Sequence, residues 1–227
     1  MGKRRFYTEI AYLLGVFWIA MGVAFTTKAD MGVSMIAAPA YLLHLKLSEV
    51  WSFFTFGIAE YLLQALLVLL TAILLRRFKI SYLFCIVTVL LYGAVLDGCI
   101  WLLTPVPSGG MVMRVLWLTV GLLMSAFGVA FMFHTYISPE AYELFVKEVS
   151  AKWKIDISRF KTIYDCSSLL VAIVMSFAFF GLFRFVGVNI GTVICALLNG
   201  KIIGWYSKIL EKHFEFTDAL PFRKYFE

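Results

Sequence analysis

Six apolar runs, each long enough to cross a lipid bilayer, constrain this chain more than any other feature. They cover residues 8–27, 52–75, 80–103, 112–133, 162–184 and 187–209. A helix needs about 20 consecutive apolar residues to span the hydrocarbon core. Because 62% of the 227 residues are hydrophobic, a soluble domain of this length could not cover its apolar surface. The sequence therefore predicts an all-α integral membrane protein with six transmembrane helices.

The chain also carries an internal repeat. Gly22-Val23-Ala24-Phe25 recurs 106 positions later as Gly128-Val129-Ala130-Phe131. Two further matches follow in the same order, at offsets of 104 and 107 positions: Ser34 with Ser138, and Leu90-Leu91-Tyr92-Gly93 with Leu197-Leu198-Asn199-Gly200. Ordered matches at a nearly constant offset indicate duplication. We predict that residues 1–107 and 108–213 are diverged copies, followed by a cytoplasmic tail at 214–227.

Basic residues mark one side of the membrane. They occur at 3–5, at 76–79, in the 134–161 loop and in the tail from residue 208, whereas the loop at 104–111 has none. The positive-inside rule then places both termini in the cytoplasm. Because these loops account for the net charge of +6, the expected partner is the lipid bilayer and no nucleic acid is expected.

Two shorter segments do not fit the spanning pattern. Residues 31–45 are too short to cross and are interrupted by Pro39, which predicts an outer interfacial or re-entrant helix. Residues 138–153 begin with Ser138-Pro139-Glu140, a favourable helix start. Five apolar residues of this segment share one helical face: Ala141, Leu144, Phe145, Val149 and Trp153. This pattern predicts an amphipathic helix on the cytoplasmic surface.

Each half of the chain is then a span, a short helix and two further spans. Three crossings is an odd number, so the second copy enters the membrane from the opposite side. The duplication and the charge pattern together predict two inverted three-helix repeats, related by a pseudo-two-fold axis in the membrane plane.

The last span carries a glycine-containing motif, Gly191-Thr192-Val193-Ile194-Cys195-Ala196-Leu197-Leu198-Asn199-Gly200, followed by Ile203-Gly204. It resembles the G-T-x-x-x-A-L-x-x-G-x-x-x-G run of the YczE/YitT-like bacterial membrane proteins, and Tyr92-Gly93-Ala94-Val95-Leu96-Asp97 is similar to their first-half G-x-x-x-D. The acid that this group usually has inside the fifth span would be Asp165. The chain departs from the group at Met35, where Gly-x-Ser-Pro has proline. The resemblance implies a multi-pass transporter of the bacterial cytoplasmic (inner) membrane.

Polar side chains inside apolar spans are costly, so each needs a reason. Glu60 and Gln64 lie one turn apart on the second predicted span and share a face. With Tyr92, Asp97 and Asn199, they are predicted to line a substrate site between the repeats. The predicted gates are polar residues near span ends: Thr26, Thr27, Asp30, His134, Thr135 and Asp165. An acid in low dielectric can carry a proton, so Glu60 or Asp97 is the candidate for proton coupling.

The same residues have structural interpretations. Thr26 to Asp30 fit a solvated helix end, His134 fits an interfacial position, and Asp165 fits an inner-surface charge near Lys161. Glu60 and Asp97 could instead form a polar network that holds the halves together. Ala20-x-x-x-Ala24 and Ala126-x-x-x-Ala130 permit close helix packing, either of span one against span four or against another subunit.

These features favour transport of an unknown small molecule or ion by alternating access between the repeats. One alternative is the substrate-binding subunit of an energy-coupling-factor-type importer, which would dock through the alanine faces. Another is a non-transporting membrane accessory or scaffold protein. A homo-oligomer or a second membrane subunit is left open. The sequence contains no G-x-S-x-G, H-E-x-x-H or Walker motif, so no enzyme activity, cofactor or metal site is expected.

Overall fold

The computed structural model describes residues 4–32, 34–54, 56–76, 78, 82–182, 186 and 188–225. Its elements in chain order are β1 (Arg4–Tyr7), α1 (Thr8–Ala29), α2 (Ala38–Leu47), α3 (Phe56–Leu75), α4 (Phe84–Leu103), α5 (Met111–Phe133), α6 (Ala141–Trp153), α7 (Ile157–Phe180), α8 (Ile190–His213) and β2 (Phe214–Thr217), with a short 3₁₀ turn at Arg223–Tyr225. Six of the described helices, namely α1, α3, α4, α5, α7 and α8, are long and apolar enough to cross a membrane. The predicted all-α membrane protein with six candidate spans is confirmed.

Two of the displaced helix starts, those of α7 and α8, have local causes. α7 begins five residues before the predicted span, because the Asp156 side chain accepts a hydrogen bond from the Arg159 backbone nitrogen and caps the helix there. α8 begins after Asn189, whose side chain and backbone exchange hydrogen bonds with the first turn, including the Thr192 side chain. Polar capping residues therefore set the starts of α7 and α8. A prediction based on the length of apolar runs does not detect them.

The two halves of the chain meet where α1 packs along α5. Gly15 lies against Gly128, and Gly22 lies against Gly121, so the two helices run antiparallel. Ala20 and Ala126 are also completely buried, but Ala20 clusters with Cys99 of α4 and Ala126 with Ile203 of α8. Small side chains allow the backbones to approach closely. The predicted packing of span one against span four is therefore confirmed, but it is made by these glycines. The alanine faces are instead covered by α4 and α8, so they are not free for another subunit.

The other helix contacts form pairs that relate the two halves. α4 packs against α1, and α8 packs against α5. α3 contacts α6, and α2 contacts α7. Within each half, α2 contacts α3 and α6 contacts α7. When α1–α4 are matched in order with α5–α8, each of these contacts has a counterpart in the other half.

One contact lacks such a counterpart. α7 and α8 pack closely, and the Ser158 hydroxyl donates to the Gly200 carbonyl. α3 and α4 diverge instead: over their described residues they share few contacts, mainly where Leu75 meets Tyr82 and Cys85 in an apolar cluster. The gap between α3 and α4 is the main departure from the paired arrangement.

α2 is shorter and more buried than the sequence predicted. It occupies Ala38–Leu47, and residues 34–37 lead into it without being helical. Ala38, Ala40 and Leu42 are buried, and the helix packs between α3 and α7. Its apolar side chains are therefore covered by protein rather than lying on a surface.

α6 differs more from its prediction. It begins at Ala141 rather than at Pro139, and no side chain caps its first turn. Tyr142, Glu143 and Val146 are buried, because the first half of the helix packs between α3 and α7. The predicted surface placement is wrong for this half of α6. A surface position agrees with the C-terminal end of α6, where Trp153 is exposed.

The two ends of the described chain lie together. β1 pairs in parallel with β2, and Phe6 packs against Phe131 and Phe214. After β2 the tail folds onto Glu9, whose carboxylate accepts hydrogen bonds from the backbone nitrogens of Ala219 and Leu220 at 3.0 and 2.9 Å. Both ends thus lie on one side of the bundle, as an even number of crossings requires.

A methyl group at the α1–α5 contact is expected to destabilise the protein. A Cβ atom on Gly128 would lie 2.6 Å from the Ile19 backbone nitrogen and 2.7 Å from the Gly15 carbonyl oxygen. Neither backbone atom can move alone, so we expect Gly128→Ala to lower the free energy of unfolding by about 1–3 kcal/mol. The matched control is Gly98→Ala on α4, where a Cβ would meet nothing within 4 Å. Thermal unfolding in detergent compares the two, and equal midpoints would contradict the packing argument.

Candidate functional site

A cavity of about 310 Å³ lies between α1, α3, α4 and the starts of α2 and α6. Carboxyl groups, an amide and phenol rings dominate its polar lining, and no Lys or Arg is among the described residues that line it. We call it the acidic cavity. Its main polar residues are Glu60, Gln64, Tyr92, Glu140, Tyr142 and Glu143.

Both short helices begin at this cavity. Ser34, Ile36 and Ala37, which lead into α2, line one wall. Glu140 stands immediately before α6, and Glu143 lies in its first turn. The N-terminus of a helix carries partial positive charge, which favours carboxylates at this position. Even so, burial and then the neighbouring carboxyl groups of Glu143 and Glu60 raise the pKa of Glu140 well above its ordinary value.

Glu60 has hydrogen-bond partners on both α6 and its own helix. The Tyr142 hydroxyl donates to its Oε2 atom at 2.6 Å, and the Gln64 side chain hydrogen-bonds to it from the next turn of α3. Gln64 is 8% exposed, and its Oε1 atom is buried with no hydrogen-bond partner in the structure. The Glu60 carboxyl group is thus held in place, while an acceptor beside it stays unused.

A buried ion cluster adjoins the acidic cavity. Lys161 and Asp165 are both 0% exposed and lie one turn apart on α7. The Lys161 Nζ atom lies 3.1 Å from Asp165 Oδ1 and donates to Glu143 Oε1 at 3.2 Å. Asn199 on α8 donates from Nδ2 to Asp165 Oδ2 at 3.3 Å. One ammonium group therefore lies between two carboxylates and joins α6, α7 and α8.

A smaller cavity of about 80 Å³ lies on the other side of Glu143. It is lined by Thr26 from α1, by Ser34, and by Thr192 and Asn199 from α8. Ile19, Val23, Ser34, Ile36 and Glu143 line both cavities. Glu143 thus separates the acidic cavity from the Asn199 side of the molecule.

A third cavity, of about 360 Å³, fills the gap between α3 and α4. Its walls are mostly apolar and include Ala65, Val68 and Ile86. Tyr61, Gln64 and Val89 line both this cavity and the acidic cavity. The acidic cavity therefore continues sideways into an apolar groove between two spanning helices, which we call the α3–α4 groove.

A family model described as a family of unknown function, DUF6198, matches residues 6–208. The chain belongs to the DUF6198 family. No curated protein and no solved structure matches it. The family match does not name a YczE/YitT-like protein, so that resemblance stays a prediction.

The predicted substrate-site residues of this DUF6198 protein lie in two adjoining places. Glu60, Gln64 and Tyr92 all line the acidic cavity, so the structure brings these three residues together. Asn199 lies in the smaller cavity and contacts the ion cluster. The side chain of Asp97 lies outside the described part of the structure, so its assignment stays a prediction.

The predicted outer gate residues have different surroundings. Thr26 lines the smaller cavity, whereas the Thr27 hydroxyl is exposed and donates to the Val23 carbonyl, as expected for a helix end. Asp30 forms an ion pair with Arg114 of α5. This pair ties the end of α1 to the start of α5.

The predicted inner gate residues are more buried than expected. His134 Nδ1 lies 2.7 Å from the Ala130 carbonyl and Nε2 lies 3.2 Å from Glu211 Oε1. Thr135 is buried, and its hydroxyl accepts from the Ile137 backbone nitrogen. Asp165 pairs with Lys161 as suggested, but its interpretation as an inner-surface charge is wrong, because it is 0% exposed.

Four residues of the site were not among the predicted site residues: Glu140, Tyr142, Glu143 and Lys161. All four were assigned to the long charged segment between the fourth and fifth spans, which the charge pattern placed at the cytoplasmic surface. One signal was present in the sequence. Lys161 and Asp165 are four residues apart, and such a pair shares a helix face.

Proposed function

We propose that this protein is a membrane transporter for a small solute, which binds in the acidic cavity and crosses by alternating access between two inverted repeats. The observation that carries the proposal is the acidic cavity itself. It holds Glu60, Glu140 and Glu143 among apolar helices, and ionisable groups in such surroundings mark substrate and ion pathways.

The position of the cavity supports the same function. It lies where α2 and α6 begin, each of which we take to be a re-entrant helix that starts near the bilayer midplane. Many secondary transporters bind their solute at such broken helices, between the two repeats. A fixed scaffold protein has no need of unpaired acceptors around an internal cavity.

The helix contacts support alternating access. The paired contacts of α1–α4 and α5–α8 are what two inverted repeats would produce. The open α3–α4 groove and the closed α7–α8 contact then represent two conformations of equivalent helix pairs. In the opposite state of the transporter, α3 and α4 would close and α7 and α8 would separate.

We place the protein in the bacterial cytoplasmic membrane with both termini inside. The basic loops support this orientation, and the pairing of β1 with β2 agrees with termini on one side. The resemblance to YczE/YitT-like proteins points to transport as well. The energy-coupling-factor alternative has lost its expected docking face, because Ala20 is buried in a cluster with α4 and Ala126 in a cluster with α8.

The proposal predicts that a Glu60→Gln variant loses solute binding and uptake. A library of metabolites and ions is first screened by thermal shift at pH 5.5 and 7.5, since a ligand at 100 times its dissociation constant adds about 2.7 kcal/mol of stability. Each solute that stabilises the wild type is then tested for uptake into proteoliposomes. We expect uptake to fall roughly tenfold or more in Glu60→Gln, because its charge and one acceptor are removed.

Glu49→Gln is the matched control, because Glu49 is an exposed acid paired with Lys46 on the surface. It should transport at the wild-type rate. Asp97→Asn tests the predicted role of the second acid in the same assay. If uptake of every stabilising solute survives both Glu60→Gln and Asp97→Asn with unchanged pH dependence, the assignment of this cavity is wrong.

A further inference from the structure

We propose that the acidic cavity binds a protonated primary or secondary amine that carries an apolar body. This assignment rests on the proposed function of the cavity and adds the chemical class of its substrate. Three features specify that class: the charge of the cavity, an unused acceptor, and the apolar groove that opens from it.

The first feature is the charge. Lys161 pairs with both Glu143 and Asp165 in the ion cluster. Glu60 and Glu140 lie near each other, and no Lys or Arg is among the described lining residues. The nearest cation acting on Glu140 is Lys161, which is already shared between Glu143 and Asp165. Two acids facing one enclosed space favour either uptake of protons or a cationic guest. Three phenol rings, of Tyr61, Tyr92 and Tyr142, line the same space, and aromatic faces attract cations.

The second feature is the unused acceptor. The Gln64 side-chain amide donates to the Glu60 carboxylate, and the Gln64 Oε1 atom is buried with no hydrogen-bond partner in the structure. A buried acceptor of this kind costs free energy until a donor reaches it. A protonated primary or secondary amine brings several N–H donors to one point, so it can serve Glu60 and Gln64 together. A quaternary ammonium has the charge but no N–H group. Among the described residues, no three His, Cys, Asp or Glu side chains are grouped so that they could hold a metal ion.

The third feature is the α3–α4 groove. Tyr61, Gln64 and Val89 belong to both cavities, so a ligand held at Glu60 by its ammonium group has an apolar channel directly beside it. The groove measures about 360 Å³, enough for an aryl or alkyl group. A small, fully hydrated cation such as ammonium would leave this space unfilled.

The test uses the full-length protein in phosphatidylcholine nanodiscs, whose lipid has no primary amine. Binding is measured by calorimetry for four matched probes: 2-phenylethylamine, its N,N,N-trimethyl analogue, 2-phenylethanol and 3-phenylpropionate. We expect the primary amine to bind at least roughly tenfold more tightly than the trimethyl analogue, about the value of one charge-assisted hydrogen bond. The alcohol and the carboxylate should not bind measurably.

Two variants identify the groups responsible. Gln64→Leu should reduce the preference for the primary over the trimethyl amine, because it removes the acceptor and keeps the charge. Glu140→Gln should weaken both cations alike. Glu49→Gln on the surface should change neither. Equal binding of the amine and the alcohol, or an unchanged preference in a folded Gln64→Leu protein, would overturn the assignment.

A primary ammonium on an apolar body also describes the phosphatidylethanolamine headgroup with its acyl chains. A second set of nanodiscs containing phosphatidylethanolamine separates the two sources. If the lipid is the ligand, it will compete with 2-phenylethylamine and co-purify with the wild type but not with Glu60→Gln. If the ligand is a free amine, the affinity will be the same in both lipids.

The outcomes separate this inference from the proposed function. If the amine binds with the expected preference but is not moved into proteoliposomes, the assigned ligand class is supported and the proposal of transport is contradicted. If a solute of another class is transported in a Glu60-dependent manner while no amine binds, the proposal of transport is supported and the assignment of an amine substrate is contradicted.

Discussion

Replacing Lys161 with methionine should lower the free energy of unfolding by about 3–5 kcal/mol, the usual cost of removing one partner from a buried ion pair. Lys161 is 0% exposed and is the only cation among the described residues that contact Glu143 and Asp165 in the ion cluster. Without it, two carboxylates lie next to each other inside the bundle. Methionine fills nearly the same volume, so the effect reports the charge rather than the packing.

Lys201→Met is the matched control for this experiment. Lys201 is also on an apolar helix, but it is exposed, and its replacement should leave the unfolding midpoint nearly unchanged. A triple variant, Lys161→Met with Glu143→Gln and Asp165→Asn, removes all the charges together and should recover most of the lost stability. Midpoints in detergent and the yield of monodisperse protein give the comparison. A Lys161→Met protein as stable as Lys201→Met would show that the cluster is not held by its charges.

The spans of this protein were predictable because they depend only on local composition. Each predicted run overlaps one long helix, and the Glu60–Gln64 pair followed from helix geometry alone. The packing of α1 on α5 was also predicted, from the spacing of alanines, although the contact is made by glycines of the same two helices. In each of these cases the signal lies within one helix or in its repeat.

The ion cluster could not be predicted in the same way. Lys161 counted as a cytoplasmic charge, and Glu143 counted as the polar face of a surface helix. They meet because α6 turns back between α3 and α7, which no local pattern records. The α3–α4 groove was hidden for a related reason. Hydropathy does not distinguish an apolar residue on the outer surface of the bundle, such as Leu66, from one that lines a cavity, such as Val68.

Joining α7 to α8 by a disulfide should stop transport almost completely, and this is the sharpest test of the alternating-access proposal. The Cys166 Sγ atom lies 3.9 Å from the Ala196 carbonyl oxygen, so Ala196→Cys would place a second thiol nearby. The other native cysteines, Cys85, Cys99 and Cys195, are replaced first. If α7 and α8 must separate to reach the opposite state, oxidation will trap the conformation seen here, and reduction will restore uptake.

The equivalent pair in the other repeat should behave in the reverse manner, because the two repeats exchange conformations in an inverted-repeat transporter. Ala65 and Val89 line the α3–α4 groove, so Ala65→Cys with Val89→Cys should cross-link poorly at rest. Cross-linking should increase when a transported solute is present, since turnover then populates the state in which α3 and α4 close. Variants with only one of each cysteine pair control for the substitutions themselves. Wild-type uptake by a fully oxidised Cys166/Ala196→Cys protein would exclude this motion, because the closed α7–α8 contact would then be a fixed part of the scaffold rather than one of two alternating arrangements.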